Sequence, residues 1–404
     1  MVSIHTETGR LRLVLMHRPG LEIDRVLPRE RERLLFDDIL FLEEARSEFD
    51  RLVAIIRKTG AEVLLFEELL DTLPQGNFEP EFSAMRIRDT ITGEVGDPLP
   101  NLMFHRDLGA VIGKKICFTA MAEPARFLES QLVRSLLSTH PRFAKLEVIY
   151  DALARDIRQQ DVDGRYPGLE GGDILCPRTD VLMVGDSIRS DRRHIDALAE
   201  AVLHDQKSDI RSVIIVNMPR ARSYMHLDTI FTMISESEVL VHAPLILSNT
   251  NESTGNNTCF ATRLSMSTSG EIVESPPMQV LEMLSSIGLE LTPVICGGND
   301  PISQHREQWT DGANAFCLAP GMIVLYRRNQ ATANALIDAG YEVMMDETFL
   351  SLSDDSVESL IASSKKIVIL FAGNELSRAR GGPRCLTLPL ERERLAVRPQ
   401  SHTS

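Results

Sequence analysis

Again and again along the chain, two short apolar runs precede a helical pattern, which leads into a further apolar run. The spacing predicts strands at 110–113 and 116–119, a helix over 125–137 and a strand at 146–150. The order begins again with strands at 173–176 and 181–184, a helix over 192–204 and a strand at 212–216. A third round runs from His226 through 239–241. A fourth takes 315–317, 322–326, a helix over 331–339 and 341–344, with a last apolar strand at 367–371. The recurrence is about every 60–80 residues. A unit of that size leaves its own sheet face uncovered, and closing the units into a ring covers every face. A ring of this kind gathers its loops around a central channel, the natural place for a site. The competing arrangement, a doubly wound parallel sheet that binds a nucleotide, has little support. No glycine-rich fingerprint follows a strand, and no phosphate-binding loop of the GxxxxGK type is present.

The rest of the chain fits around these units. Residues 11–16 read as a first strand stopped by Pro19-Gly20, 36–58 as a helix closed by Gly60, and 61–66 as the next strand. Residues 72–98 read as an irregular excursion, and 248–277 and 345–366 as further irregular insertions in one domain spanning 1–404. The net charge of −15 disfavours a binder of nucleic-acid phosphates and suits a cationic partner. The six cysteines have neither CxxC nor zinc-finger spacing, which points to reduced thiols in the cytoplasm. No apolar stretch is long enough to span a bilayer, so no membrane is expected.

Chemistry concentrates at Arg380-Gly-Gly-Pro-Arg-Cys385, a thiol at the mouth of an apolar run on a backbone that can pass close to a ligand. Alone, such a cysteine reads as a buried structural thiol. Four other segments supply the partners a nucleophile needs: 101–107, 124–126, 170–173 and 225–228. His226 alone reads as structural, and Glu170-Gly-Gly-Asp173 alone as a turn. Arg126 and Arg189 alone read as solvated charges, and Trp309 as core. If the segment is extended, His226 and Asp228 fall on one face.

Together these pieces resemble the arginine deiminases, a branch of the guanidine-modifying superfamily. The resemblance rests on Leu34-Leu-Phe-Asp-Asp38, Leu99-Pro-Asn-Leu-Met-Phe-His-Arg-Asp107, Pro124-Ala-Arg126, Glu170-Gly-Gly-Asp173 and Met225-His-Leu-Asp-Thr229. Arg306-Glu-Gln-Trp-Thr-Asp-Gly-Ala-Asn314 and Leu376-Ser-Arg-Ala-Arg-Gly-Gly-Pro-Arg-Cys385 complete it. It implies an α/β fold, a five-bladed pseudo-symmetric propeller of strand-strand-helix-strand units. It also implies the hydrolysis of free L-arginine to L-citrulline and ammonia, with no cofactor and no metal, by a homo-oligomer. The helical insertion familiar in bacterial members has no room in 72–98.

By the same resemblance Cys385 is the nucleophile and His226 the proton carrier, oriented by Glu170. Asp107 and Asp228 grip the guanidinium. Asn101 and Phe104 line the pocket, and Arg126, Arg189 and Arg380 bind the substrate carboxylate or sit beside the thiol. Three carboxylates near a thiol oppose thiolate formation until a guanidinium reverses the local field. The alternatives are an amidinotransferase, a hydrolase for methylated arginine or agmatine, and a non-catalytic binding protein on the same fold.

Overall fold

The apolar runs of the repeat become strands covered on both faces, and the alternation of their side chains ties each sheet to two neighbours. Val213 and Ile215 join the apolar cluster that holds Val111 and Ile116, whereas Ile214 and Val216 join the one that holds Phe231 and Val239. In the same way Ile323 and Leu325 pack with Leu240 and Val294, while Val324 and Tyr326 pack with Val14 and Val63. A continuous apolar run in sequence is the signature of such two-faced burial. Burying one Val or Ile side chain stabilises by about 1.5–3 kcal/mol. A charge placed at Ile215 would remove that term and strand a carboxylate between two sheets.

The computed structural model describes residues 2–73, 84–155, 160, 166–247, 258–363 and 365–395. These form five separate sheets with helices between them, a mixed α/β fold in which no described sheet closes into a barrel. The sheets share one plan: a leading strand, an antiparallel partner, then a strand parallel to that partner. Gly109–Ile112, Lys115–Phe118 and Glu147–Asp151 follow it. So do Ile174–Arg178, Val181–Asp186 and Ser212–Asn217, and Phe231–Met233, Glu238–Val241 and Thr292–Ile295. A fourth set is Phe316–Ala319, Met322–Tyr326 and Ile367–Phe371, with Glu342–Met345 added at the edge. The fifth joins distant parts of the chain. Leu11–Met16 runs parallel to Glu62–Leu65, and its antiparallel partner is Leu388–Arg392.

Helices return the chain between parallel strands. Arg192–His204 starts where the Asp191 carboxylate accepts the Arg193 N–H at 2.9 Å. It buries Ile195, Leu198, Ala199 and Val202, one apolar stripe at helical spacing.

Several sequence expectations need correction. The first long helix is Leu42–Lys58, not 36–58. Asp38 accepts the Ile39 N–H and pairs with Arg378, which holds the preceding residues out of the helix. The excursion at 72–98 contains the helix Ala84–Thr92, and 74–83 lie outside the described residues. Of 248–277, residues 248–257 also lie outside them, but Phe260–Met266 is a strand, antiparallel to Ser212–Asn217. The stretch 345–366 holds two helices, Asp346–Ser351 and Asp354–Ala362. No helix among the described residues is long and apolar enough to cross a membrane. All six cysteines are free and buried.

Candidate active site

Each leading strand is preceded by a short turn, and those turns carry the chemistry. Asp107 stands before Gly109–Ile112, Glu170 before Ile174–Arg178, and His226 with Asp228 before Phe231–Met233. Asn314 stands before Phe316–Ala319, and Cys385 before Leu388–Arg392. Five segments far apart in sequence thus present side chains from equivalent places. The glycines beside them are required by close approach. A Cβ on Gly172 would lie 2.8 Å from the His226 ring and 2.9 Å from Asp107, and one on Gly381 would overlap the Phe104 ring.

His226 is only 3% exposed. Its Nε2 lies 2.8 Å from Glu170 Oε2, and its Nδ1 faces Asp107 Oδ1 at 3.7 Å. Glu170 is fixed in turn, since its Oε1 accepts the Ala122 N–H at 3.0 Å. Across from this pair, Cys385 Sγ lies 3.9 Å from Asp228 Oδ2. The thiol's own backbone is clamped. Its N–H donates to Asn314 Oδ1 at 3.1 Å, and its carbonyl accepts the Arg106 N–H at 3.1 Å. Asn314 also donates to the Asp228 carbonyl at 3.0 Å, so one buried amide sets the spacing between thiol and carboxylate.

The electrostatics follow from this packing. Burial opposes charge on His226, but Asp107, the hydrogen bond to Glu170, and Asp173 outweigh it and push the imidazole up to about 9. Burial also works against the charge on Glu170, yet Arg189, His226 and Arg126 hold it well below the usual carboxylate range. Burial, then Asp228, Asp107 and Asp311, push the Cys385 thiol well above its ordinary value. Near neutral pH the site therefore holds an imidazolium and a thiol, facing carboxylates that favour a cation. Asp107, Glu170 and His226 place their ligand atoms within 4.8 Å of one another, close enough for a metal ion. An imidazole titrating near 9, with its Nε2 already on Glu170, must give up its Nδ1 proton to become a ligand.

The residues expected from sequence converge, though several in ways the sequence did not suggest. Leu227–Thr229 is a tight turn, so His226 and Asp228 are not consecutive same-face residues of a strand. His226 points to Glu170, and Asp228 to Arg384 at 2.7 Å. Arg126 and Arg189 are buried, not solvated. Arg126 donates to Asp107 Oδ2 at 2.6 Å, to Glu129 Oε2 at 2.7 Å and to the Asn101 carbonyl at 3.2 Å. Arg189 Nη1 stands 3.9 Å from Glu170 Oε1 without a hydrogen-bond partner. Asn101 donates to the Leu34 carbonyl at 2.7 Å, and Phe104 is buried against Gly381. Arg380, at φ 66°, lies 3.5 Å over the Trp309 ring, with Nε and Nη1 unpartnered. Trp309 is 45% exposed and so is not the core residue expected. Asp173 braces the turn, accepting from Ser187 at 2.6 Å and from the Leu227 N–H at 2.7 Å. Glu129, Arg384, Asn314 and Glu7 were missed. Arg384 directly precedes the thiol and Glu129 lies three residues past Arg126, so position alone could have flagged those two.

The model of the family described as arginine deiminase matches residues 32–92 and 79–392. The arginine deiminase of Listeria monocytogenes is 33% identical over 447 positions, covering 98% of this chain and 98% of that protein. That of Mycoplasma capricolum is 32% identical over 440 positions, again covering 98% of each. Among solved structures, SxtG, an amidinotransferase from Microseira wollei, aligns at TM-score 0.56 and 15% identity, covering 98% of each chain. The N-terminal domain of ArgZ, an arginine dihydrolase from the ornithine-ammonia cycle in cyanobacteria, aligns at TM-score 0.51 and 16% identity. That match covers 94% of this chain and 97% of that one. At such identities the structures speak for the fold alone.

Proposed function

The chain belongs to the arginine deiminase family, and from that premise we propose that it hydrolyses free L-arginine to L-citrulline and ammonia through an amidino-cysteine intermediate. The observation that carries the reading is the placement of a buried thiol 3.9 Å from one carboxylate, with a Glu170–His226 pair and a second carboxylate completing the surround.

The guanidinium enters by taking Asp107 over from Arg126. Its charge cancels the carboxylate field that holds the proton on Cys385, so the thiol gives its proton to solvent and the thiolate forms when the cation is in place. Sγ attacks the guanidinium carbon, a C–S bond forms, and the C=N electron pair moves onto nitrogen. His226 donates a proton to the leaving nitrogen. Nε2 is held by Glu170, which leaves Nδ1–H facing the reacting centre. The C–N bond breaks, ammonia departs, and a cationic amidino group stays on sulfur. His226, now neutral, takes a proton from water as its oxygen adds to the same carbon. Collapse breaks C–S, forms the ureido C=O and restores thiolate and imidazolium. The proton released on collapse goes to solvent, where the departed ammonia becomes ammonium, and the thiolate takes a proton back once the product leaves.

Arg126 and Arg189 are assigned to the substrate carboxylate, and Arg380, with two free N–H positions, to the same end or to the mouth of the site. On this reading the five sheets, linked through shared apolar clusters, are the blades of one α/β propeller. The enzyme then works as a cytoplasmic homo-oligomer.

The test is product stoichiometry together with trapping. One citrulline and one ammonia per arginine are expected, and acid quenching should leave an amidino group on Cys385 by peptide mass spectrometry. Ornithine with two ammonia would make the protein a dihydrolase, and transfer of the amidino group to an added amine would make it a transferase.

A further inference from the structure

A second built cavity lies at the opposite ends of the strands that carry the site. Asp107, Glu170 and Cys385 stand before Gly109–Ile112, Ile174–Arg178 and Leu388–Arg392. Gly113, Thr179 and Arg394, which follow those same strands, line a cavity of about 330 Å³. Ile4 closes it by pairing with Gly113, at 2.7 Å in both directions. Its volume falls in the range of small-molecule sites.

The lining is sorted by chemistry. Ile4, Ile112 and Ile210 are buried and give it an apolar floor. Its acids are already engaged: Asp205 holds Lys115 at 2.7 Å, and Asp209 holds Arg394 at 3.2 Å. Glu147 stands 3.8 Å from Lys115. Lys114 and Lys207 also line it; neither ammonium makes a hydrogen bond or a close ion pair among the described residues, Lys207 acting on Asp205 only at longer range. His5 is 6% exposed and lines the cavity, with a buried Nδ1 that makes no hydrogen bond, Asp209 being 3.5 Å away. A buried, unsatisfied ring nitrogen is costly unless something meets it. On a chain of net charge −15, two ammonium groups held in no ion pair and a buried ring nitrogen without a hydrogen bond, over an apolar floor, form a local anion trap.

We propose that this cavity binds a small organic phosphate, its dianion held by Lys114, Lys207 and His5 and its apolar part on the isoleucine floor. Phosphate suits the donor set, because compact ammonium groups grip a tetrahedral anion as point charges, whereas a carboxylate is best met by a planar fork. The one arginine present is turned to Asp209.

Titration calorimetry of the full chain with phenyl phosphate, inorganic phosphate and benzoate, at fixed ionic strength, tests the assignment. Phenyl phosphate should bind once per chain, roughly tenfold tighter than inorganic phosphate because of the apolar floor. The double variant Lys114→Ala/Lys207→Ala should bind it at least about tenfold more weakly. It should keep wild-type citrulline formation without ligand, since both lysines are exposed and remote from the thiol. His5→Gln should weaken phenyl phosphate without altering surface charge. No saturable binding of phenyl phosphate, equal affinity for benzoate, or unchanged affinity in the double variant would each overturn the proposal.

Discussion

Asp107 and Asp228 face the same thiol, and each carries an arginine of the chain, at 2.6 and 2.7 Å, yet their surroundings are opposite in kind. Around Arg126 the carboxylates outnumber the guanidinium. It meets Asp107 and Glu129 directly and lies 3.8 Å from Glu170. The surplus is severe enough that burial raises Glu129 to about 7 even with Arg126 against it. Around Asp228 the guanidiniums are in surplus. Arg384 is shared between Asp228 and Glu7, donates to the Ile174 carbonyl at 3.2 Å, and has Arg106 and Arg392 near the same Glu7. A cation in a crowd of carboxylates can be exchanged for another cation. One that is shared between Asp228 and Glu7 cannot leave without stranding both. The difference separates an exchangeable carboxylate, Asp107, from a fixed one, Asp228, whose place is set from behind.

The largest effect calibrates the rest. Cys385→Ser should lower citrulline formation by at least about 10⁴-fold while leaving far-UV dichroism unchanged. Residual turnover within about 10²-fold of wild type would remove the covalent route. Next, Asp107→Ala and Asp228→Ala should each cost about 10²-fold or more in kcat through lost positioning, but thermal melts should tell them apart. Asp228→Ala leaves Arg384 crowded by other guanidiniums and should cost about 3–5 kcal/mol of stability. Asp107→Ala relieves repulsion among the remaining carboxylates and leaves Arg126 on Glu129, so about 1–3 kcal/mol is expected. Equal losses of Tm would break the comparison.

Arg126→Ala should sharpen it. With the internal competitor gone, agmatine should be used as well as before or better, while arginine loses its carboxylate contact. The arginine-to-agmatine ratio of kcat/KM should then fall about tenfold. A ratio that stays put would show that Arg126 never meets the carboxylate.

The smallest effect is a displacement in pH. His226 works as an acid, so kcat/KM should fall as pH rises through about 9. Removing the Glu170 charge in Glu170→Gln lowers the imidazole's affinity for its proton and should move this limb about one unit toward neutral pH. Stability carries the same sign. The raised value in the folded state contributes fully below 6.5, the ordinary histidine value, and is lost as pH rises through about 9. A limb that moves upward, or not at all, would mean that Glu170 does not set the proton affinity of His226.

Where burial is two-sided, the sequence carries the fold almost to the residue. Met322–Tyr326 and Ile367–Phe371 are continuous apolar runs, Leu11–Met16 is apolar apart from Arg12, and Arg192–His204 has a complete apolar stripe behind an Asp cap. Legibility fails where a partly covered strand mixes side chains. Phe260–Met266 mixes apolar residues with Thr262, Arg263 and Ser265 and lies between Ser212–Asn217 and the short strands Ile272–Glu274 and Met278–Gln279. It fails again at Phe36, an apolar residue buried outside the helix that its spacing suggested. The site residues are legible by type, but their pairing is not. Arg384 meets Glu7 across almost the whole chain and Asp228 across 156 positions, and no local pattern can announce that. The turn at Leu227–Thr229, which aims His226 and Asp228 at different partners, depends on Asp173 accepting from the Leu227 N–H.

The strand after the thiol, Leu388–Arg392, completes the sheet begun by Leu11–Met16, and Ser3 bonds to Leu390 and Arg392 beside it. Synthesis gives that pairing a direction in time. The other four sheets draw on strands no later than Ile367–Phe371, so they can assemble while the remainder is still being made, as domains do from the N-terminal side. The first sheet must wait for its antiparallel partner, and closing a loop of such length is slow. The nucleophile therefore arrives in the same step that locks the molecule. A chain cut short before Cys385 is a scaffold that can neither close nor react. The appearance of activity should coincide with the last cooperative folding event, and no earlier intermediate should turn over.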